Sequence, residues 1–241
     1  MGILVGFHVE GGDHLILRSF VASLLGVPES SIVPDWIDVP GRGWQFVLKT
    51  LDATIRRFYG KCAQFAVIGI DNDGNDDLTH TGAQEAPGHP RHWNHPSLHP
   101  TCRFCQLEAA VAKTRSTLTP LPQKPPQTWP VVLAVPVETI EAWLLELQAI
   151  VDPRRGLSRA EDRSRRALKG LLSGKPFATK QDVERVALPL IRAASSAHLE
   201  ELCARSKAFR LFAQQLRQSR AIILGPRDCW GPGDSAAESA G

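Results

Sequence analysis

Three near-continuous apolar runs, Ile3–Val9, Phe65–Ile70 and Val131–Val137, limit what this chain can become. A strand with one face in water alternates apolar and polar residues. A run that is apolar at almost every position is buried on both faces, the condition of a strand inside a parallel sheet. Helical spacing fills the intervals between and after these runs. Leu15–Leu25 carries apolar residues at that spacing and stops at Gly26-Val27-Pro28, and Trp44–Tyr59 places Phe46, Val47, Leu51, Ile55 and Phe58 on one side. Leu107–Arg115 and Thr139–Val151 complete the series. The alternation predicts an α/β fold: a mostly parallel sheet with helices on both faces.

A fourth strand is expected over Ile32–Val39, where Pro34 confines it to an edge or an irregular path. Pro120–Pro130 reads as a proline-rich connection. After Asp152-Pro153 the pattern becomes helical, over Ser158–Leu172, Lys180–Ser195 and His198–Arg217. Ser158 with Glu161 forms a capping-box signature, and Thr179 is placed to cap the next helix. Ala221–Leu224 is a short apolar run with strand character. The expected organisation is an α/β domain over 1–150, interrupted by an insertion at 74–106, then a helical basic region over 151–224. A Gly, Pro, Ser and Ala tail over 225–241 is expected to be flexible.

The composition, 43% hydrophobic and 22% charged over 241 residues, is that of a soluble globular protein, and no apolar stretch is long enough for a bilayer. Met1 runs into a strand-like segment without a cationic region or a cleavage site, so a cytoplasmic location is expected and no membrane partner. Five cysteines, an odd number at irregular spacing, argue against a disulfide framework. Residues 1–150 hold 11 Lys/Arg against 15 Asp/Glu, and 151–241 hold 17 against 10. An acidic half joined to a basic half suits a polyanionic substrate, and equally suits a solvated basic helix face.

The acidic half ends its strands in carboxylates: Glu10 after Ile3–Val9, Asp71 and Asp73 after Phe65–Ile70, and Glu138 after the third run, with Glu141 three residues on. The carboxyl ends of parallel strands share one edge, and ligands bind there. Acids gathered at that edge repel one another unless a cation lies between them, and an oxygen-only donor set suits Mg²⁺ or Mn²⁺. The competing reading is that these acids cap helices and make turns, which Asp13, Glu138 and Glu141 satisfy well.

A strand ending in Glu10-Gly11, a helix, and a later strand ending in Asp71-Asn72-Asp73 resemble the TOPRIM domain of topoisomerases, primases, recombination proteins and OLD-type nucleases. The third strand end, VPVETIEAW, is similar to that of small TOPRIM-like proteins of mobile elements and phage defence. The likeness covers roughly 1–150, and the long His-rich insertion after Asp73 departs from it. It implies a Rossmannoid sheet and Mg²⁺- or Mn²⁺-dependent phosphodiester chemistry. Glu10, Asp71, Asp73 and Glu138 would be the catalytic and metal-binding residues, and Glu141 a further ligand. Glu10 would serve as ligand or as general acid/base. The implied partners are DNA or RNA, a companion protein such as an ATPase, or further copies of the chain.

Within the insertion, Cys102-Arg103-Phe104-Cys105 follows His92, His95 and His99. Two thiolates from one turn and two imidazoles would make a structural zinc site, with a His-rich loop and incidental cysteines as the alternative. Arg159, Arg163, Arg165, Arg166 and Lys169 recur on one helical segment as phosphate contacts, or as an exposed face paired with Glu161 and Asp162. Trp36, Trp44, Trp93, Trp129 and Trp143 are expected in packing roles rather than as base-stacking platforms. The leading function is a metal-dependent nuclease or nuclease-like defence effector. The alternative is a non-enzymatic, zinc-stabilised subunit that binds nucleic acid or assembles a complex.

Overall fold

Four parallel strands in the order β2-β1-β3-β4 form the centre of the protein, as described by a computed structural model over residues 2–36, 43–71, 98–121, 124–136, 139–154, 165–175 and 178–225. The strands are β1 (Ile3–Val9), β2 (Ile32–Trp36), β3 (Phe65–Gly69) and β4 (Val131–Ala134). Val5 to Val9 of β1 run beside Phe65 to Gly69 of β3, and Ala66 to Gly69 beside Val131 to Ala134. Both middle strands end level with each other. Pro34 sits in β2, an edge strand, where its missing N–H costs the ladder least.

Side chains alternate between the two faces. Ile3, Val5, Phe7, Phe65, Val67, Val132 and Ala134 join one core with α1 (His14–Leu25), α4 (Ile140–Val151), α5 (Arg165–Ser173), α6 (Lys180–Ala193), α7 (Ser196–Arg205) and α8 (Lys207–Gln218). An aromatic nest lies at its centre. Trp143 stacks on Phe212 at 5.6 Å and meets Phe209 edge-on at 5.2 Å, while Phe20 packs against Phe209 at 5.1 Å. The helices after Asp152 therefore bury themselves in the same core as the strands. The change of pattern at residue 150 marks a change of charge, not a second core.

Ala66, Ile68 and Leu133 point to the other face, where α2 (Trp44–Gly60) and α3 (Arg103–Ser116) form a thinner layer. Gly6 permits that layer to approach. A Cβ there would lie 2.3 Å from the Phe58 ring, so only hydrogen fits. The outer edge of β4 is closed by a side chain. The Gln215 amide of α8 accepts from Leu133 N at 2.9 Å and donates to Leu133 O at 3.1 Å, taking the place of a further strand.

Two expectations are corrected. The helix expected over His198–Arg217 is two helices, broken at Ser206. That residue is extended (φ −110, ψ 112), and its hydroxyl accepts from Phe209 N at 3.1 Å to start α8. The apolar run at 221–224 is a short helix, α9 (Arg220–Ile223), not a strand. Thr179 does cap α6, in a reciprocal box with Asp182. Helix α3 starts at Arg103, which places the Cys102–Cys105 segment at its first turn. The Ser158–Glu161 box and the tail beyond Gly225 lie outside the described residues. Among the described residues no helix is long and apolar enough to cross a membrane.

Candidate functional site

The chain passes from β1 to β2 on one side of the sheet and then returns to place β3 on the other side of β1. That reversal opens a crevice at the carboxyl ends of β1 and β3, where open α/β sheets bind ligands. A small cleft, partly open to solvent, occupies this position. Its walls include Glu10 and Asp13 from the first connection, Asp71 from the end of β3, and Pro136 and Ile140 beyond β4. Gly69 makes the floor, since a Cβ would lie 2.9 Å from Val9 Cγ1 and 3.0 Å from Leu17 Cδ1.

Glu10 begins a single 3-10 turn over Glu10–Gly12, in which Gly11 adopts φ +67, a conformation suited to glycine. The turn swings the Glu10 carboxylate toward β3, where Oε2 accepts from the Asp71 amide at 3.3 Å. Two acids 61 residues apart in sequence are thus neighbours. The Asp71 carbonyl accepts from Arg103 Nη1. Glu141, in the first turn of α4, is 4% exposed, and Lys169 Nζ of α5 lies 3.7 Å from it.

Of the cap and turn roles open to Asp13 in the sequence, the structure gives it the N-cap position of α1 without the side-chain bond of a cap. Its carboxylate makes no capping hydrogen bond, because the 3-10 turn leads directly into the helix with Asp13 at φ −74, ψ 18. The side chain lines the cleft instead. Burial, and next the charge of Glu141, push its pKa up to about 7, against the opposing pull of Lys180 and Lys169. No sequence signal separates this aspartate from an ordinary cap. Its distance of three residues from Glu10 is the only hint.

Asp73 and Glu138 lie outside the described residues, as do His92, His95, Arg159 and Arg163. Arg165 and Arg166 fall in α5, with side chains outside the described set. Lys169, read as a phosphate contact, sits beside the acids and is about half exposed (47%). Among the described residues no three His, Cys, Asp or Glu side chains gather in a group able to hold a metal ion. The described part of the cleft nevertheless has the chemistry a hard cation requires. Its donors are the carboxylate oxygens of Glu10, Asp13 and Asp71.

The cysteine pair is separate from this cleft. Cys102 and Cys105 are 1% and 3% exposed and belong to the core beneath α2 and α3. Burial pushes the Cys102 thiol up to about 11, with Cys105 as its hydrogen-bonding neighbour. The His99 ring accepts from Thr101 N at 3.3 Å, and its carbonyl accepts from Cys102 N at 3.2 Å, closing a turn just before α3. Among the tryptophans, Trp129 and Trp143 are core residues and Trp44 lies against Arg103 at 4.9 Å. Trp36 is 43% exposed and rests on His14 at 4.6 Å, and Trp93 lies outside the described residues.

Comparison of the chain with protein-family models, curated proteins and solved structures finds no match.

Proposed function

We propose that the protein is a divalent-metal-dependent phosphodiesterase acting on DNA or RNA, a TOPRIM-like nuclease or nuclease-like effector of a defence or mobile-element system. The observation that carries this reading is the meeting of Glu10 and Asp71 at the tips of adjacent parallel strands. In this reading Glu10 and Asp71, with Asp73 and Glu138, hold Mg²⁺ or Mn²⁺, and Glu141 lies behind them. The ion, when bound, activates water and neutralises charge on the scissile phosphate. Glu10 and Asp71 orient the reacting groups from rigid strand ends. Asp13, with a proton affinity near neutrality, is suited to accept a proton from the attacking water or give one to the leaving oxygen. Lys169 (exposed above Glu141) and the arginines of the same segment would meet the phosphate backbone.

The test is cleavage of single- and double-stranded DNA and RNA with Mg²⁺, Mn²⁺ or chelator. Glu10→Gln and Asp71→Asn should each lower metal-dependent cleavage by at least about a hundredfold while leaving the fold intact. Full activity in Asp71→Asn would remove the proposed centre. A second reading, a zinc-stabilised binding or assembly subunit, is favoured by the contact between the Cys102 and Cys105 thiols. It predicts nucleic-acid binding without turnover and zinc retained through purification.

A further inference from the structure

We propose that Arg103 is a positioning residue for the strand-tip acids, an inference that rests on the proposed metal-dependent function and deepens it. Arg103 is only 3% exposed. A buried guanidinium is costly unless its charge and its donors are met. Here Nη1 donates to the Asp71 carbonyl, and the guanidinium lies 4.9 Å from the centroid of the Trp44 ring at the start of α2. The aromatic face attracts the cation. Asp71 in turn donates its amide to Glu10 Oε2 at 3.3 Å. A connected path therefore runs from Trp44 through Arg103 and Asp71 to Glu10, out of the thinner helical layer and into the cleft.

Both anchors on Asp71 are made to its backbone, through the carbonyl and the amide. They fix the peptide groups on both sides of Cα and leave the carboxylate to act from a set origin. Supporting contacts of this kind determine how well ligands present themselves to a metal. Arg103 also brings a buried positive charge to an edge that carries Glu10, Asp13 and Asp71. Lysine is a poor substitute, because a single ammonium lacks the planar, multi-donor guanidinium that meets the Trp44 ring and the Asp71 carbonyl together. Arg103 is too deeply buried to meet substrate, so its effect passes through Asp71.

Two measurements on the full chain test this with wild type, Arg103→Lys and Trp44→Leu. Amide hydrogen exchange over residues 66–71 in metal-free protein reads the anchoring directly, and Mn²⁺ titration followed by electron paramagnetic resonance reads its consequence. Arg103→Lys should raise exchange in that segment about tenfold with exchange in α8 unchanged, and weaken Mn²⁺ binding about 10- to 100-fold. Trp44→Leu keeps the charge and should shift both in the same direction by less. If Arg103→Lys does not fold, Trp44→Leu decides. Unchanged exchange in the folded variants overturns the inference, as does faster exchange with wild-type Mn²⁺ affinity. A wild-type protein that binds no Mn²⁺ defeats the functional reading, and with it the positioning role. That failure is distinguishable, because the exchange result still reports the anchor.

Discussion

The two faces of the sheet are built differently. The face covered by α1 and α4–α8 is deep and largely apolar, with Trp143, Phe209, Phe212 and Phe20 interlocked at its centre. The α2–α3 face is thinner and threaded with polar connections. His8 is 1% exposed and shares its Nε2 with Thr50 Oγ1 at 3.0 Å and Val47 O at 3.2 Å, while Trp129 Nε1 donates to Ala63 O at 2.8 Å. Arg103 joins them. Burial lowers the pKa of His8, against the raising effect of its hydrogen bond to Val47. The deep face supplies stability, and the thin face supplies direction. The cleft lies where the two meet, drawing Asp13 from one and the anchoring of Asp71 from the other.

If that division holds, the largest loss should come from the deep face. Trp143→Ala removes the hub of the aromatic nest and should cost about 3–5 kcal/mol, read as a collapse of the denaturation midpoint. On the thin face the sensitive quantity is clearance. Gly6→Ala forces a methyl into the Phe58 ring and should cost about 3 kcal/mol. It should be partly rescued by Phe58→Leu in a double-mutant cycle.

The smallest effect belongs to the junction. Asp13 binds its proton with a pKa of about 7 when folded, against the usual 3.8. Between those values the folded chain holds a proton that the unfolded chain has released. Stability therefore falls as pH rises through that window and is level on either side. In metal-free buffer the loss between pH 5 and pH 8 should be on the order of 2 kcal/mol, and Asp13→Asn should abolish it and melt higher at pH 8. An equal pH slope in wild type and Asp13→Asn would place the acid outside the crowded cleft.

Much of the scaffold was legible because backbone chemistry leaves few options for such a pattern. Ile3–Val9 is a strand over the residues expected, and parallel pairing makes neighbours of the strand ends that carry Glu10 and Asp71. The missed features share a physical cause. An acid before a helix looks like a cap whether or not it caps, so Asp13 was hidden. Ser206 sits within continuous helical periodicity, and only its buried hydroxyl, turned onto Phe209 N, ends one helix and begins another. Arg103 stood between two cysteines whose spacing suggested zinc. Lys169 belonged to a run of cations that suggested phosphate, although its nearest described partner is Glu141.

The bond from Arg103 to Asp71 spans 32 positions of sequence. It works as a clasp at the neck of a long excursion, holding departure and return together whatever is strung between them. Replacing residues 74–96 with a short Gly/Ser bridge should spare the sheet, since halving a loop alters closure entropy by only about 0.6 kcal/mol. The sequence between the clasp's two ends can thus be exchanged, lengthened or specialised while the acids behind it keep their station.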